Sequence, residues 1–215
     1  MTIAFPTAAA AAASDALSGA FDRLGTRMSF AREQELYAQG EPVQRLYRLT
    51  SGVVRTTRLA ADGRRLIGAF YYPGEIFGLE PGPDHQFGAE ALTDCEVMAV
   101  RRAAVVAYAG DAEVDRAILQ ATHREMARLQ DHVMLLGRKG ALERVAGFLI
   151  SLADRGQADH VDLPMTRQDM ADYLGLTIET VSRMLTQLQG DSVVAFPSLR
   201  RFRVSRRDAL EALAA

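Results

Sequence analysis

Residues 166–189 constrain the fold more than any other part of this sequence. Apolar residues recur there at helical spacing in two groups, with Gly175 between the groups. The first group is Met170, Ala171 and Leu174, and the second is Val181, Leu185 and Leu188. This pattern predicts two helices, each with one buried face, joined by a tight turn at the glycine, which adopts a left-handed backbone at little cost.

Polar residues at the start of each predicted helix support this interpretation. Thr166 can cap the first helix, and the Asp169 carboxylate can accept a hydrogen bond from the N–H of the cap, as in a capping box with a short arm. Thr177 can cap the second helix. Two capped helices around a glycine turn are typical of the helix-turn-helix motif.

The second helix carries side chains that suit nucleic-acid bases. Glu179, Ser182 and Arg183 share one face near its N-terminal end. The fork of Arg183 matches guanine O6 and N7, Glu179 can accept from cytosine N4, and Ser182 can bond a base edge or a phosphate. The motif therefore predicts a recognition helix for the DNA major groove. The alternative is a surface ion pair between Glu179 and Arg183 at i,i+4 spacing.

Residues around the motif are expected to contact the DNA backbone. Segments 193–196 and 202–205 predict a hairpin, the wing of a winged helix, and a last helix spans 207–213. Helix N-termini and arginines both bind phosphates. The predicted backbone contacts are Thr166, Arg167, Thr177, Thr180, Arg200, Arg201 and Arg203. For the arginines, the alternative is a solvated basic surface.

Closely spaced turn signals interrupt short apolar runs in residues 29–100. Strands are expected at 46–49, 53–59, 66–71 and 96–100, and Asp62-Gly63 is the strongest hairpin signal of the chain. This texture predicts an antiparallel β-sandwich or β-roll.

A long helix is expected from about residue 111 to residue 136. Its apolar positions step alternately by three and four residues, which is the a/d pattern of a helix–helix seam. The seam residues are Leu119, Thr122, Met126, Leu129, Val133 and Leu136. Strict alternation favours a parallel homodimer; a helix packed in the core of its own chain is the alternative. His123 and His132 lie off the seam, at a spacing that does not suit metal binding.

These elements divide the chain into an α+β arrangement. Residues 1–15 are low-complexity alanine and are expected to form a disordered tail. The alternative is a secretory signal peptide, which would usually begin with basic residues that are absent here. Residues 16–110 are the β-roll with a short helix at 16–24, and residues 111–137 are the dimerisation helix. Residues 138–215 are the winged helix-turn-helix domain, which begins with a helix at 141–153 followed by a polar loop at 154–164.

Composition excludes several other classes of protein. The formal net charge of −2 argues against indiscriminate nucleic-acid binding, although a local basic patch still permits specific binding. Cys95 is the only cysteine, so an intramolecular disulfide is ruled out, and we expect it to be a buried apolar side chain rather than a redox sensor. No run reaches the ~18 apolar residues of a membrane span, and a cytoplasmic location is expected.

A β-roll, a long dimer helix and a winged helix, in that order, resemble the Crp/Fnr superfamily of bacterial transcription regulators. The most specific pieces are residues 73–78 (PGEIFG) and residues 179–183 (ETVSR). The Glu-x-x-Ser-Arg pattern is similar to the FNR and FixK branch, whose members bind inverted repeats of the type TTGAT-N4-ATCAA. The resemblance implies that Arg183 contacts the guanine, Glu179 the paired cytosine or its neighbour, and Ser182 the flanking thymine or the backbone.

Departures from the family pattern bear on what the roll senses. Relatives that bind cyclic AMP hold its phosphate with an Arg-Ser pair, where this sequence has His85 and Gln86. Without a guanidinium for the phosphate, Gly74, Glu75, His85 and Gln86 are expected to form a degenerate effector pocket. FNR carries an iron–sulfur cluster on N-terminal cysteines that this sequence lacks, so no metal or other cofactor is expected. His85 as a haem ligand, as in gas-sensing relatives, is the alternative.

The sequence therefore favours a homodimeric DNA-binding regulator that acts without an effector, an activator by resemblance, whose roll and wing would contact RNA polymerase. One alternative is a sensor of the same superfamily that needs a cyclic nucleotide or haem before it binds DNA. Another is a cupin-type enzyme, which would need clustered histidines on adjacent strands. His85 is the only histidine of the roll region, and no phosphate-binding loop, nucleophile elbow or zinc-helix motif is present, so no enzymatic activity is expected.

Overall fold

A computed structural model describes residues 15–80, 82–109, 140–155 and 160–214. It also describes positions 119, 122, 123, 126, 127, 129, 130, 132, 133, 134, 136 and 137, which are all helical. The described residues form two compact units, with the division after Ala127. The predicted tail, up to residue 14, and residues 111–118 of the predicted long helix lie outside the described residues.

Two four-stranded antiparallel sheets form the β-roll of the N-terminal unit. The first sheet has the order β1 (Thr26–Phe30), β8 (Cys95–Arg101), β3 (Arg45–Ser51) and β6 (Ile76–Phe77). The second has the order β2 (Glu35–Tyr37), β7 (Gly88–Ala91), β4 (Val54–Leu59) and β5 (Arg65–Tyr71). The four predicted strands correspond to β3, β4, β5 and β8. The other four were missed, since strands of two to five residues are too short for a clear periodicity.

The predicted hairpin at Asp62-Gly63 is confirmed and joins β4 to β5. Gly63 has a φ of 79°, which a residue without a Cβ adopts readily. The N–H of Ala60 donates to the carbonyl of Arg64 at 2.9 Å and closes the turn.

Alternating side chains of the strands face two different cores. Inside the roll, Tyr47 stacks between Tyr37 and Phe77 with ring centroids 5.5 Å and 5.3 Å away. On the outer face of the first sheet, Leu17 and Phe21 pack with Leu46 and with the short helix that follows β8. The two helices on this face are α1 (Asp15–Leu24) and α2 (Arg102–Ala109).

The C-terminal unit is a winged helix, as predicted. Its helices are α3 (Ala141–Ala153), α4 (Arg167–Leu174), α5 (Ile178–Gly190) and α6 (Arg207–Ala214). Its sheet has the order β10 (Val194–Ser198), β11 (Arg201–Val204) and β9 (Val161–Asp162). We expected residues 154–164 to be a loop throughout, and β9 corrects this expectation; a strand of two residues has no periodicity to detect.

The apolar stripes of the two motif helices are buried as the sequence predicts. The residues of both stripes are at most 1% exposed: Met170, Ala171, Leu174, Val181, Leu185 and Leu188. They share the interior of this unit with Leu149 of α3, Phe202 of the wing and Leu210 of α6. None of the helices in the described ranges is both long and apolar enough to cross a membrane.

Candidate nucleic-acid interface

The capping box predicted at the start of α4 is present. The Asp169 carboxylate accepts hydrogen bonds from the Thr166 N–H at 2.9 Å and from the Thr166 hydroxyl at 2.8 Å. In return, the Asp169 N–H donates to the Thr166 hydroxyl oxygen at 3.1 Å. Because Asp169 is almost fully buried, these bonds also satisfy a charge that would otherwise be costly to bury. Helix α4 therefore begins at a fixed residue.

Gly175 ends α4 and makes the turn of the motif. Its φ of 62° and ψ of 40° are left-handed, and its N–H donates to the carbonyl of Ala171. Thr177 then caps α5, since its hydroxyl oxygen accepts from the N–H of Thr180 at 3.2 Å. Both predicted caps and the predicted glycine turn are thus confirmed.

The three predicted base-contacting residues lie at the N-terminal end of α5. Glu179 and Arg183 are exposed and Ser182 is partly exposed. Among the ion pairs of the described residues, none joins Glu179 to Arg183, so the structure does not contain the surface pair considered as the alternative. The Glu179 backbone N–H and the Thr177 hydroxyl both donate to the Glu179 carboxylate, and they lower its pKa below the ordinary value. Glu179 therefore faces solvent as an anion near neutral pH.

The arginines of the wing have different surroundings. Arg200 donates to the carbonyl of Pro164 at 2.9 Å, and Arg201 donates to the Asp162 carboxylate at 2.9 Å. These two contacts hold the wing to β9 and to the segment that follows it, and they were not predicted, because residues 154–164 were expected to be a loop. Arg203 and Arg206 are exposed and make no such contact within the described part of the chain. Among the predicted backbone contacts on the wing, Arg203 thus keeps its whole guanidinium available to a phosphate, whereas Arg200 and Arg201 each use part of theirs within the chain.

Most of the predicted seam residues are exposed in the single chain. Leu119 is 55% exposed, Met126 53%, Leu129 48% and Val133 67%. Thr122 and Leu136 are partly exposed. A helix packed in the core of its own chain would bury these side chains, so the exposure does not fit that alternative.

The four residues of the predicted effector pocket are engaged within the roll. The Glu75 carboxylate accepts from the N–H of Tyr72 at 2.9 Å, across the turn in which Gly74 has a φ of 91°. The His85 Nδ1 atom lies 2.8 Å from the Glu80 carboxylate, and its buried ring stacks on Tyr37 with centroids 3.7 Å apart. The amide of Gln86 donates to the carbonyl of Asp84 at 3.4 Å. His85 is therefore a packed residue of the roll, held from two sides.

Cys95 is a buried side chain of β8, as expected. It is 3% exposed, and burial followed by the nearby Asp94 charge raises the pKa of its thiol to about 11. A thiol in such surroundings is protonated at neutral pH and reacts slowly.

Known protein families match both units of the chain. Residues 27–109 match the cyclic nucleotide-binding domain, and residues 143–213 match the Crp-like helix-turn-helix domain. The two matches correspond to the β-roll and to the winged helix described above.

Relatives of known function cover most of the chain. A nitrogen fixation regulation protein, FixK, from Azorhizobium caulinodans is 45% identical over 197 residues, which cover 88% of this chain and 79% of that protein. FixK from Rhizobium meliloti is 42% identical over 181 residues, which cover 84% of this chain and 83% of that protein. The structure of FixK2 from Bradyrhizobium japonicum has a TM-score of 0.85 at 43% identity and covers 89% of this chain and 98% of that chain.

Proposed function

Because the chain belongs to the Crp/Fnr family and is a FixK-type transcription regulator with a DNA-binding helix-turn-helix, we propose that it binds an inverted repeat of the type TTGAT-N4-ATCAA as a homodimer. On this proposal it acts in the cytoplasm as an activator without a bound effector, and its roll and wing contact RNA polymerase. Its relatives are transcription regulators, which are not enzymes.

The observation that carries the proposal is the face presented by the start of α5. Arg183 and Glu179 are exposed, do not pair with each other and stand on a helix whose opposite face is buried. A guanidinium there can donate twice to guanine, and a carboxylate held ionised can accept from the amine of the paired cytosine. One G·C pair can thus be distinguished from the other three base pairs by two residues one helical turn apart.

The phosphate contacts follow from the elements around this face. The N-terminal residues of α4 and α5 include Thr166, Arg167, Thr177 and Thr180, and a helix N-terminus attracts an anion through its N–H groups and its dipole. On the wing, Arg203 supplies a guanidinium to a phosphate. Arg201 fixes the hairpin to β9, Arg200 fixes it to Pro164, and both arginines meet the DNA backbone with their remaining N–H groups.

Dimerisation through the seam gives the protein a two-fold axis that matches the symmetry of an inverted repeat. Leu119, Met126, Leu129 and Val133 lose their exposed apolar surface when a second copy covers them. Because each is already about half covered, each contributes about half of the ~1.5–3 kcal/mol that full burial of such a side chain gives. Two recognition helices related by a two-fold axis contact two half-sites about one helical turn apart, which is roughly 34–36 Å.

Independence from an effector is supported by the contacts of the roll. A cyclic nucleotide needs a cationic partner for its phosphate, and the equivalent places hold His85, whose Nδ1 faces Glu80, and the neutral Gln86. The Glu75 carboxylate is also occupied by its own turn. Because these polar groups already have partners within the chain, we expect the roll to fold without a ligand.

The proposal is tested by fluorescence anisotropy with two labelled duplexes, one with the inverted repeat and one with the same bases in scrambled order. The protein is used without any added ligand, at two salt concentrations, because affinity for DNA depends strongly on salt. We expect at least about a thousandfold preference for the repeat, the lower end of the range for specific regulators.

Equal binding to both duplexes would contradict the proposal. The measurement is then repeated with cyclic AMP and with haem, because a preference that appears only with a ligand would identify a ligand-dependent sensor. A preference for neither duplex under any of these conditions would mean a different operator, which selection from random DNA would reveal.

A further inference from the structure

Arg144 of α3 lies where two helices end. Its Nη1 atom donates to the carbonyl of Leu174 at 3.0 Å, and its Nη2 atom donates to the carbonyl of Leu136 at 2.7 Å. Leu174 is the last residue of α4, and Leu136 is the last but one of the described helical positions between 129 and 137. All three residues belong to the C-terminal unit. A single guanidinium therefore joins the segment that carries Leu129 and Val133 to the first helix of the DNA-binding motif.

The chemistry of helix ends explains why arginine suits this place. The last carbonyls of a helix lack partners within that helix and carry the negative end of its dipole. A planar guanidinium can donate to two such carbonyls at once and keeps its charge at any physiological pH. Hydrogen bonds from a charged donor are also stronger than those between neutral groups.

His132 makes a second connection between the same two elements. Its Nε2 atom lies 2.7 Å from the carbonyl of Tyr173, and the two rings stack with centroids 4.3 Å apart. A carbonyl oxygen only accepts, so the Nε2 atom of His132 carries the hydrogen. Arg144 and His132 thus bond to consecutive carbonyls in the last turn of α4.

Gly175 allows the two elements to approach closely. A Cβ atom built on it would lie 3.3 Å from the Cδ2 atom of Leu136 and 3.6 Å from the Nη1 atom of Arg144. The turn of the motif therefore packs directly against Leu136, and a Cβ at this position would require a small shift of the Leu136 side chain.

From this geometry we propose that Arg144, assisted by His132, is the positioning residue that fixes the angle between the helix-turn-helix and the segment 129–137. The inference rests on the proposed dimer: if the segments 129–137 of two protomers pair, this angle sets the separation of the two recognition helices. A fixed separation makes the protein strict about the number of base pairs between its half-sites. A residue that merely stabilised the fold would affect every DNA site equally.

The experiment compares the full-length protein with its Arg144→Met variant on three duplexes: the repeat with the four-base spacer, the repeat with a six-base spacer, and a single half-site. Two additional base pairs move one half-site by about 7 Å and rotate it by about 70°. We expect Arg144→Met to lose about tenfold or more in affinity for the four-base spacer, whereas its affinities for the other two duplexes change by less than about threefold.

Three further variants separate positioning from folding. Arg144→Lys keeps the charge but lacks the fork, so it should lose part of the spacer preference. His132→Phe keeps a ring on Tyr173 without the donor and should cause a smaller loss in the same direction. Arg58→Met removes an exposed arginine of the N-terminal unit and should leave all three affinities unchanged. An unchanged spacer preference in Arg144→Met, or an equal loss on all three duplexes, would overturn the inference.

A measurement without DNA distinguishes failure of this inference from failure of the proposed operator. Spin labels are attached at Gln187→Cys, an exposed position of α5, in a Cys95→Ala background, and the distance between the two protomers is measured by pulsed electron paramagnetic resonance. We expect a narrow distance distribution that becomes broad in Arg144→Met, and equal widths would overturn the inference. If the parent protein shows no preference for the four-base spacer, the proposed operator fails, and the distance distribution alone decides on Arg144.

Discussion

Among single residues, Arg183 gives the most specific expectation for DNA binding. Arg183→Ala should lose about 1–3 kcal/mol of binding free energy on the proposed repeat, because the proposed bidentate contact with guanine would disappear while the proposed phosphate contacts would remain. Discrimination at that base pair should vanish and discrimination at the others should persist. The measurement is the affinity for a series of duplexes in which each base pair of a half-site is replaced in turn.

Arg203→Ala is the matched control for Arg183→Ala. Both arginines are exposed, but Arg203 lies on the wing and is proposed to contact a phosphate. Its loss should weaken binding to all duplexes alike and reduce the salt dependence by about one phosphate contact. If Arg183→Ala also weakened binding to all duplexes equally, Arg183 would contact the DNA backbone and not a base.

The thiol of Cys95 allows a prediction that depends on pH. Its pKa of about 11 lies above the ordinary value, so the reactive thiolate is scarce in the folded protein at pH 8. Iodoacetamide should therefore leave the native protein unmodified at pH 8 and label Cys95 after denaturation, as seen by intact mass. Labelling of the native protein at the rate of a small free thiol would refute the buried assignment.

Contacts between residues that are close in sequence could be predicted from the sequence. Thr166 and Asp169 lie three positions apart, so helix geometry alone predicts their reciprocal bonds. The carbonyls that Arg144 contacts lie 8 and 30 positions away, and the Pro164 carbonyl that Arg200 contacts lies 36 positions away. Such contacts depend on how helices and strands converge in the folded chain, and no local pattern records that.

At the scale of the element, the start of α4 depends on its capping box. Asp169→Ala removes the acceptor for two bonds of Thr166, and we expect the free energy of unfolding of the C-terminal unit to fall by about 1–2 kcal/mol. Chemical denaturation followed by circular dichroism measures the change.

Gln168→Ala provides the comparison on the same helix. Gln168 is exposed and its amide donates to the Asp172 carboxylate at 2.6 Å, a surface contact between residues four apart, which contributes a few tenths of a kcal/mol. Equal destabilisation by the two substitutions would argue against a special role for the capping box.

Helices and strands long enough to show a periodic apolar pattern were predicted closely, and the shortest strands were not. The helix predicted at residues 141–153 coincides with α3, since Val145, Ala146, Leu149 and Leu152 form a buried stripe at helical spacing. Strands β6 and β9 have two residues each and gain their place from the strands beside them. Their existence follows from sheet pairing, which involves residues distant in sequence.

At the scale of the whole molecule, the seam should decide between monomer and dimer. Leu129→Glu places a charge on an exposed apolar position of the seam, and burying an unpaired charge against a second copy is unfavourable. We expect a monomer in analytical ultracentrifugation, with weakened binding to the full repeat and unchanged binding to a half-site.

Gln130→Glu introduces the same charge at the neighbouring exposed position, which lies off the seam. This variant should remain a dimer and bind the full repeat normally. A Leu129→Glu protein that still binds the full repeat with undiminished affinity would exclude the seam as the dimer interface.

The order of the domains along the chain could be predicted from the sequence. The order of a roll, a helical segment and a winged helix is visible in the sequence, and both family matches agree with it. The sequence could not predict which side chains and backbone groups His85 and Glu75 contact within the roll. His85 faces Glu80 and Tyr37, and Glu75 faces its own turn, because the folded loops bring these partners together.

The exposed apolar seam also has a consequence for how a cell would control this protein. If the protein needs no effector, its concentration is the signal, and an operator that accepts only the paired form responds to the product of two monomer concentrations. If the seam pairs two chains as proposed, a twofold rise in synthesis gives roughly a fourfold rise in operator occupancy by mass action, while monomers predominate and most operators are empty. A modest change in expression is thereby converted into a steep, threshold-like dose response without any bound small molecule.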